Sequence, residues 1–179
     1  MELALPLLFV RLVIGLGFAA HGAQKLFGWF GGYGIAGTGG FLETLGFRPG
    51  RAFAAAAGFA EFVGGLLLAA GLFGPIGPAL VISAMVVAIV TVHLRNGFFA
   101  TANGVELPLL YLLVGALYAF AGYGGLSLDV AFGIAGVWTP ALAWLFVILG
   151  LVGGLANLAV RRKAVTAPEA PAEGLDPAV

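Results

Sequence analysis

The sequence predicts an all-α polytopic membrane protein: a four-helix transmembrane bundle plus an added C-terminal transmembrane helix. Two observations carry that fold class. Of 179 residues, 61% are hydrophobic and 9% are charged, whereas soluble domains carry about 25% charged residues. The apolar residues also fall into five continuous runs, each near the ~20 residues that cross ~30 Å of hydrocarbon. They do not alternate in polarity as the strands of a transmembrane barrel do. The formal charge is zero, so nothing points to nucleic acid, and lipid is the expected surrounding. The chain has no cysteine, which excludes disulfides, thiolate metal sites and iron–sulfur clusters on this chain.

The first run covers residues 5–27. Glu2 stands where a signal peptide has Lys or Arg, and Arg11 interrupts the apolar stretch. The segment is therefore expected to be retained as a helix. At 100° per residue Arg11, Gly15, Phe18, Gly22 and Lys25 share one face, with small residues where another helix can approach. The link that follows is the longest. Its glycine-rich start with Trp29, Phe30 and Tyr33 suits the headgroup level. Its Gly32-Tyr33-Gly34-Ile35-Ala36-Gly37 run satisfies G-x-G-x-x-G on paper, without the strand a dinucleotide site requires. Residues 38–45 read as a short amphipathic helix with Thr38 as its cap.

The remaining runs are residues 52–73, 76–95, 106–123 and 137–160. Gly74-Pro75-Ile76-Gly77-Pro78 makes a tight turn between the second and third. Ser127 is expected to cap a short helix after the fourth, and Trp138 and Trp144 to anchor the start of the fifth. Domain limits follow: a core over residues 1–130, an added helix over 131–163, and a disordered tail over 164–179. Lys25, Arg48, Arg51, Arg95, Arg161, Arg162 and Lys163 all fall on one side of a five-span chain. The positive-inside rule puts that side in the cytoplasm, with the N-terminus outside.

Charged residues inside the spans are the candidate functional groups, since a central arginine costs roughly 2.5–3.5 kcal/mol even on the lenient scale. Glu61, about ten residues into the second span, is the expected partner of Arg11. His21, Lys25, His93 and Glu106 lie at helix ends that share a depth, so they could converge on one polar pocket. Two histidines are too few for a bis-histidine haem signal to rise above coincidence, and a metal would need more ligands. No nucleophile elbow, phosphate loop or histidine–carboxylate zinc motif is present. A structural clamp without chemistry explains Arg11 and Glu61 equally well.

These residues carry a resemblance. Arg11 with His21-Gly22-Ala23-Gln24-Lys25-Leu26-Phe27, the Leu45-Gly46-Phe47-Arg48-Pro49 turn and Ala60-Glu61-Phe62-Val63-Gly64-Gly65 come first. Residues 88–93, Glu106 and residues 122–129 continue the series. Over roughly residues 3–130 the chain resembles the DoxX family, small membrane proteins of bacteria and archaea. The resemblance implies a four-helix bundle similar to the DoxD-type membrane subunit of thiosulfate:quinone oxidoreductase. It marks Arg11, His21, Lys25, Glu61 and His93 as the family's polar signature. It also implies quinone as the cofactor to look for, and a soluble or membrane redox partner subunit. The leading expectation is therefore a membrane component of a quinone-linked oxidoreductase or oxidative-stress system. A non-enzymatic scaffold or assembly factor is the alternative. A small-solute transporter ranks third, because no inverted repeat or broken helix stands out.

Overall fold

A computed structural model describes residues 3–162. The expected tail and Lys163 lie outside the described residues. Five helices run the height of the bundle: α1 (Ala4–Phe27), α3 (Gly50–Ala70), α4 (Ile76–Ala88), α5 (Glu106–Ala121) and α7 (Pro140–Ala159). Two short helices, α2 (Gly34–Thr44) and α6 (Leu128–Ala131), lie at opposite ends. Among the described residues four spans are long and apolar enough to cross a membrane, including the C-terminal one; a π-helical turn (Ile89–His93) and a 3₁₀ turn extend α4 to Asn96. The shorter α5 still rises about 24 Å at 1.5 Å per residue.

The helix ends follow from local chemistry. α1 stops at Gly28 and α3 at Gly71, both in the left-handed region at φ 74° and 64°, where glycine costs least. Gly50 at the start of α3 donates its N–H to Glu43 Oε1 at 2.9 Å, so the end of α2 satisfies a helix-start donor. Ser127 accepts from Val130 N–H as the cap of α6, as expected from the sequence, and Thr139 caps α7 just before Pro140. Thr38 is not a cap. α2 begins four residues earlier at Gly34, and Thr38 sits inside it, because contact with α3 sustains the helix through its glycines.

Small residues set the register. A methyl at Gly15 would lie 2.6 Å from Ala69 N, and one at Gly22 would strike the backbone of Phe62 and Gly58. α1 and α3 are thus antiparallel, with residue 15 opposite 65–69 and residue 22 opposite 58–62. α7 also packs on α4 through glycines, but parallel to it, Gly150 against Ala79 and Gly154 against Ser83 and Val86. Phe18, Leu68, Val81, Met85, Tyr118 and Tyr123 fill the centre. Large apolar side chains such as Phe9, Val13, Leu16, Ile148 and Val152 point outward. In water such a patch would be untenable; in lipid it is the solvent-facing surface. After α7, Arg162 N–H donates to Gly46 O at 2.9 Å and Arg161 Nε to Leu45 O. The C-terminal helix is thereby fastened to the turn between α2 and α3.

Candidate functional site

The two ends of the bundle differ in chemistry. At one, the start of α1 meets the loops after α3 and α5. Arg11, 2% exposed, donates its two terminal nitrogens to the carbonyls of Ala69 and Leu126. Ala69 lies in the last turn of α3, where free carbonyls and the helix dipole favour a cation. Asp129 accepts from Phe73 N at 2.7 Å and Gly74 N at 2.8 Å. Tyr123 donates to Gly74 O and Tyr118 to Leu7 O, each at 2.6 Å. Every one of these side chains serves a turn or helix terminus, so this end is a structural knot.

Arg11 therefore does not pair with Glu61, contrary to the sequence expectation. Residue 11 lies opposite residue 71, while Glu61 faces the level of residue 21. Ten residues of helix, about 15 Å, separate the two. Glu61 instead forms an ion pair with Lys25. Lys25 ends α1 one turn beyond Gly22, where the close helix crossing brings its stem against Gly58.

The Lys25–Glu61 pair lines a cavity of about 280 Å³ at the other end. Ala56, Ala57 and Ala60 of α3 and Ala84 and Ala88 of α4 form walls with little side-chain volume, and Phe41, Leu42 and Phe47 close it from the α2 side. Ser83, Thr91, His93 and Asn157 add polar atoms to a largely apolar lining. Thr91 and His93 both come from the π-helical turn, a departure from α-helix often found at functional sites. Thr91 donates to Val87 O at 2.7 Å, while its oxygen retains acceptor capacity. His93 Nδ1 lies 2.8 Å from Asn103 O.

Of the six candidate residues, Lys25, Glu61 and His93 share this cavity. His21 does not: it is exposed, its Nδ1 3.2 Å from Gln24 Oε1 and its ring edge-on to Tyr111 at 6.0 Å. α1 turns His21 toward the α5 side while Lys25, four residues on, faces α3. Glu106 also stays out of the cavity, accepting from Ala100 N at 2.8 Å. The sequence reading missed Thr91, Ser83 and Asn157, which are single polar letters in apolar helices, and Asp129, which had shown only as part of a loop. Among the described residues no group of three His, Cys, Asp or Glu could hold a metal.

Comparison with known proteins gives the lineage of this arrangement. An uncharacterized protein of Haemophilus influenzae is 35% identical over 129 residues, covering 70% of this chain and 90% of that protein. No solved structure matches. The DoxX family profile matches residues 6–94, a stretch that holds Arg11 and the cavity residues Lys25, Glu61, Thr91 and His93. The chain belongs to the DoxX family.

Proposed function

We propose that this DoxX-family membrane protein works in a quinone-linked oxidoreductase or oxidative-stress system and holds a quinone headgroup in the cavity beside Lys25 and Glu61. The observation that carries this reading is the meeting of apolar walls with Lys25, Thr91 and His93 in one recess. A quinone ring is flat and apolar, and its carbonyl oxygens gain negative charge on reduction. Donors in a water-poor pocket favour that change. The Lys25 ammonium has three N–H groups, of which Glu61 engages one. Glu61 also balances the charge of Lys25 before a ligand arrives. The cavity lies near the lower limit of small-molecule sites, roughly 300–1,000 Å³, so it suits a ring and leaves an isoprenoid tail along the lipid-facing helices. Bound quinone would supply the electron chemistry; the protein's residues hold the oxygen atoms, exchange protons and exclude water.

The same reading includes an orientation and a partner. Lys25, Arg48, Arg51, Arg95, Arg161 and Arg162 belong to the segments at the cavity end of the bundle, which supports a cytoplasmic position for that end under the positive-inside rule. With no cysteine to hold an iron–sulfur cluster, electrons would come from or go to a second redox subunit. The test is organic extraction of the protein purified from its native membrane. Quinone is expected in the wild-type extract and depleted in Lys25→Met and His93→Gln proteins that remain folded. Full occupancy in both variants, or none in the wild type, overturns the reading. A scaffold role draws on the opposite end, where Arg11 and Asp129 serve the backbone alone, and it predicts extracts without quinone.

A further inference from the structure

The link between α4 and α5 closes tightly on itself. Val105 N–H donates to Gly97 O at 3.0 Å, Gly104 N–H to Phe99 O at 2.9 Å and Glu106 N–H to Phe98 O at 2.9 Å. Glu106 Oε2 braces the far side by accepting from Ala100 N at 2.8 Å. Within this loop Asn103 takes φ 59°, a left-handed conformation that asparagine tolerates better than most residues. The result is that the Asn103 carbonyl turns back onto α4. There it accepts from Asn96 Nδ2 at 3.2 Å and meets His93 Nδ1 at 2.8 Å.

A carbonyl oxygen can only accept, so His93 Nδ1 carries the hydrogen in this contact, and the neutral ring keeps its lone pair on Nε2. Nε2 has no protein hydrogen-bond partner among the described residues, and His93 is one of the residues lining the cavity. Lys25 and Glu61 are the charged groups on the other walls of that cavity. Arg95 follows on the exposed end of α4, and Glu106 acts through the loop.

We propose that His93 Nε2 is the proton-exchanging atom of the cavity and that Asn103 and Glu106 are positioning residues that hold its tautomer. The choice of ligand rests on the quinone reading: a ring hydroxyl in the reduced form and a ring carbonyl in the oxidised form. Nε2 takes the proton of a bound hydroxyl as the O–H bond breaks and an N–H bond forms. The charge left on the oxygen faces the Lys25 ammonium, and the imidazolium remains bonded to Asn103. The reverse transfer returns the proton from Nε2 to the oxygen. Sequence alone places Glu106 among the direct ligand contacts; the geometry assigns it to the brace behind His93.

The chain has two histidines, so His21→Gln leaves His93 as the sole imidazole and makes its ¹⁵N spectrum unambiguous. In the full-length H21Q protein, at a pH where the ring is neutral, Nδ1 should appear protonated and Nε2 bare. Glu106→Ala should release the loop and mix the tautomers. Glu106→Gln keeps an acceptor for Ala100 N and should preserve the wild-type pattern. A protonated Nε2 in the H21Q protein, or an unchanged spectrum in a folded E106A protein, overturns the positioning role. Titration with a short-chain benzoquinol separates the two layers. It should shift Nε2 rather than Nδ1, and bind about tenfold more weakly to E106A, the equivalent of roughly one hydrogen bond. A correct tautomer with no response to the quinol rejects the quinone reading and the proton step with it. A wrong tautomer in a protein that binds the quinol rejects the His93 proposal alone.

Discussion

Lys25 and Glu61 meet at unequal depths, the lysine side chain 31% exposed and the glutamate 5%. Removing either partner is therefore not equivalent. Lys25→Met leaves a carboxylate in the bundle wall with no cation, and a buried pair broken this way loses about 3–5 kcal/mol. Glu61→Gln leaves an ammonium that can swing toward water, so its loss should stay under about 2 kcal/mol. Thermal melts in detergent should rank the two in that order; equal losses would place the lysine deeper than its exposure indicates. Arg11→Ala combined with Glu61→Gln should be additive within about 0.5 kcal/mol, since the groups share no partner. A coupling of 1 kcal/mol or more on that scale would restore the Arg11–Glu61 clamp. The residue types show that both charges are enclosed, because arginine and glutamate in apolar helices need partners. They do not show which partner, because the acceptors of Arg11 are backbone carbonyls, which have no letter in the sequence. The alignment that separates it from Glu61 is set by glycines elsewhere on the face.

At the scale of the helix, glycines at the α1–α3 crossing act as contact surfaces, whereas Gly40 on the outer face of α2 does not. A Cβ at Gly15 would be forced against the Ala69 backbone, while one at Gly40 would meet nothing within 4 Å. Gly15→Ala should push the helices apart and cost about 1–3 kcal/mol. Gly40→Ala lies in a helix and should stabilise by about 0.4–1 kcal/mol through the unfolded chain. Opposite signs in the two melting shifts are the expected result; a loss at both positions would mean that the Gly40 face of α2 is packed as well. The spans themselves are legible because apolar length is a one-dimensional property. The π-helical turn of α4 is not: Ile89-Val90-Thr91-Val92-His93 reads as ordinary apolar helix. Only the structure shows that the extra residue per turn carries Thr91 and His93 onto one cavity. The same holds for α2, whose glycines read as loop until α3 gives them a surface to lie on.

Across the whole molecule, the ordering of ends ties the cavity to one side of the membrane. α1 runs toward the basic end, and Tyr118 near the end of α5 bonds to Leu7 near the start of α1. α5 therefore returns the chain to the opposite end despite its 16 residues. α7 starts beside the Gly74 turn, with Trp138 packed on Gly74, and finishes at Leu45 and Gly46. If α5 crosses with the four longer spans, five crossings put the 97–105 link and the cavity on one side and the 132–137 link on the other. In the proposed orientation the basic side is the cytoplasmic one, as the positive-inside rule predicts. The cysteine-free chain permits a direct measurement with single cysteines at exposed positions. Gly136→Cys has open space around it and should react with an impermeant maleimide in intact cells. Thr101→Cys, exposed in the link between α4 and α5, should react only after lysis. Ser127 is a poor reporter because it is buried as the cap of α6. Labelling of both cysteines from outside would remove a crossing; the reverse pattern would invert the bundle and place the Lys25–His93 cavity on the outer face. A cytoplasmic soluble redox partner would then have no access to it.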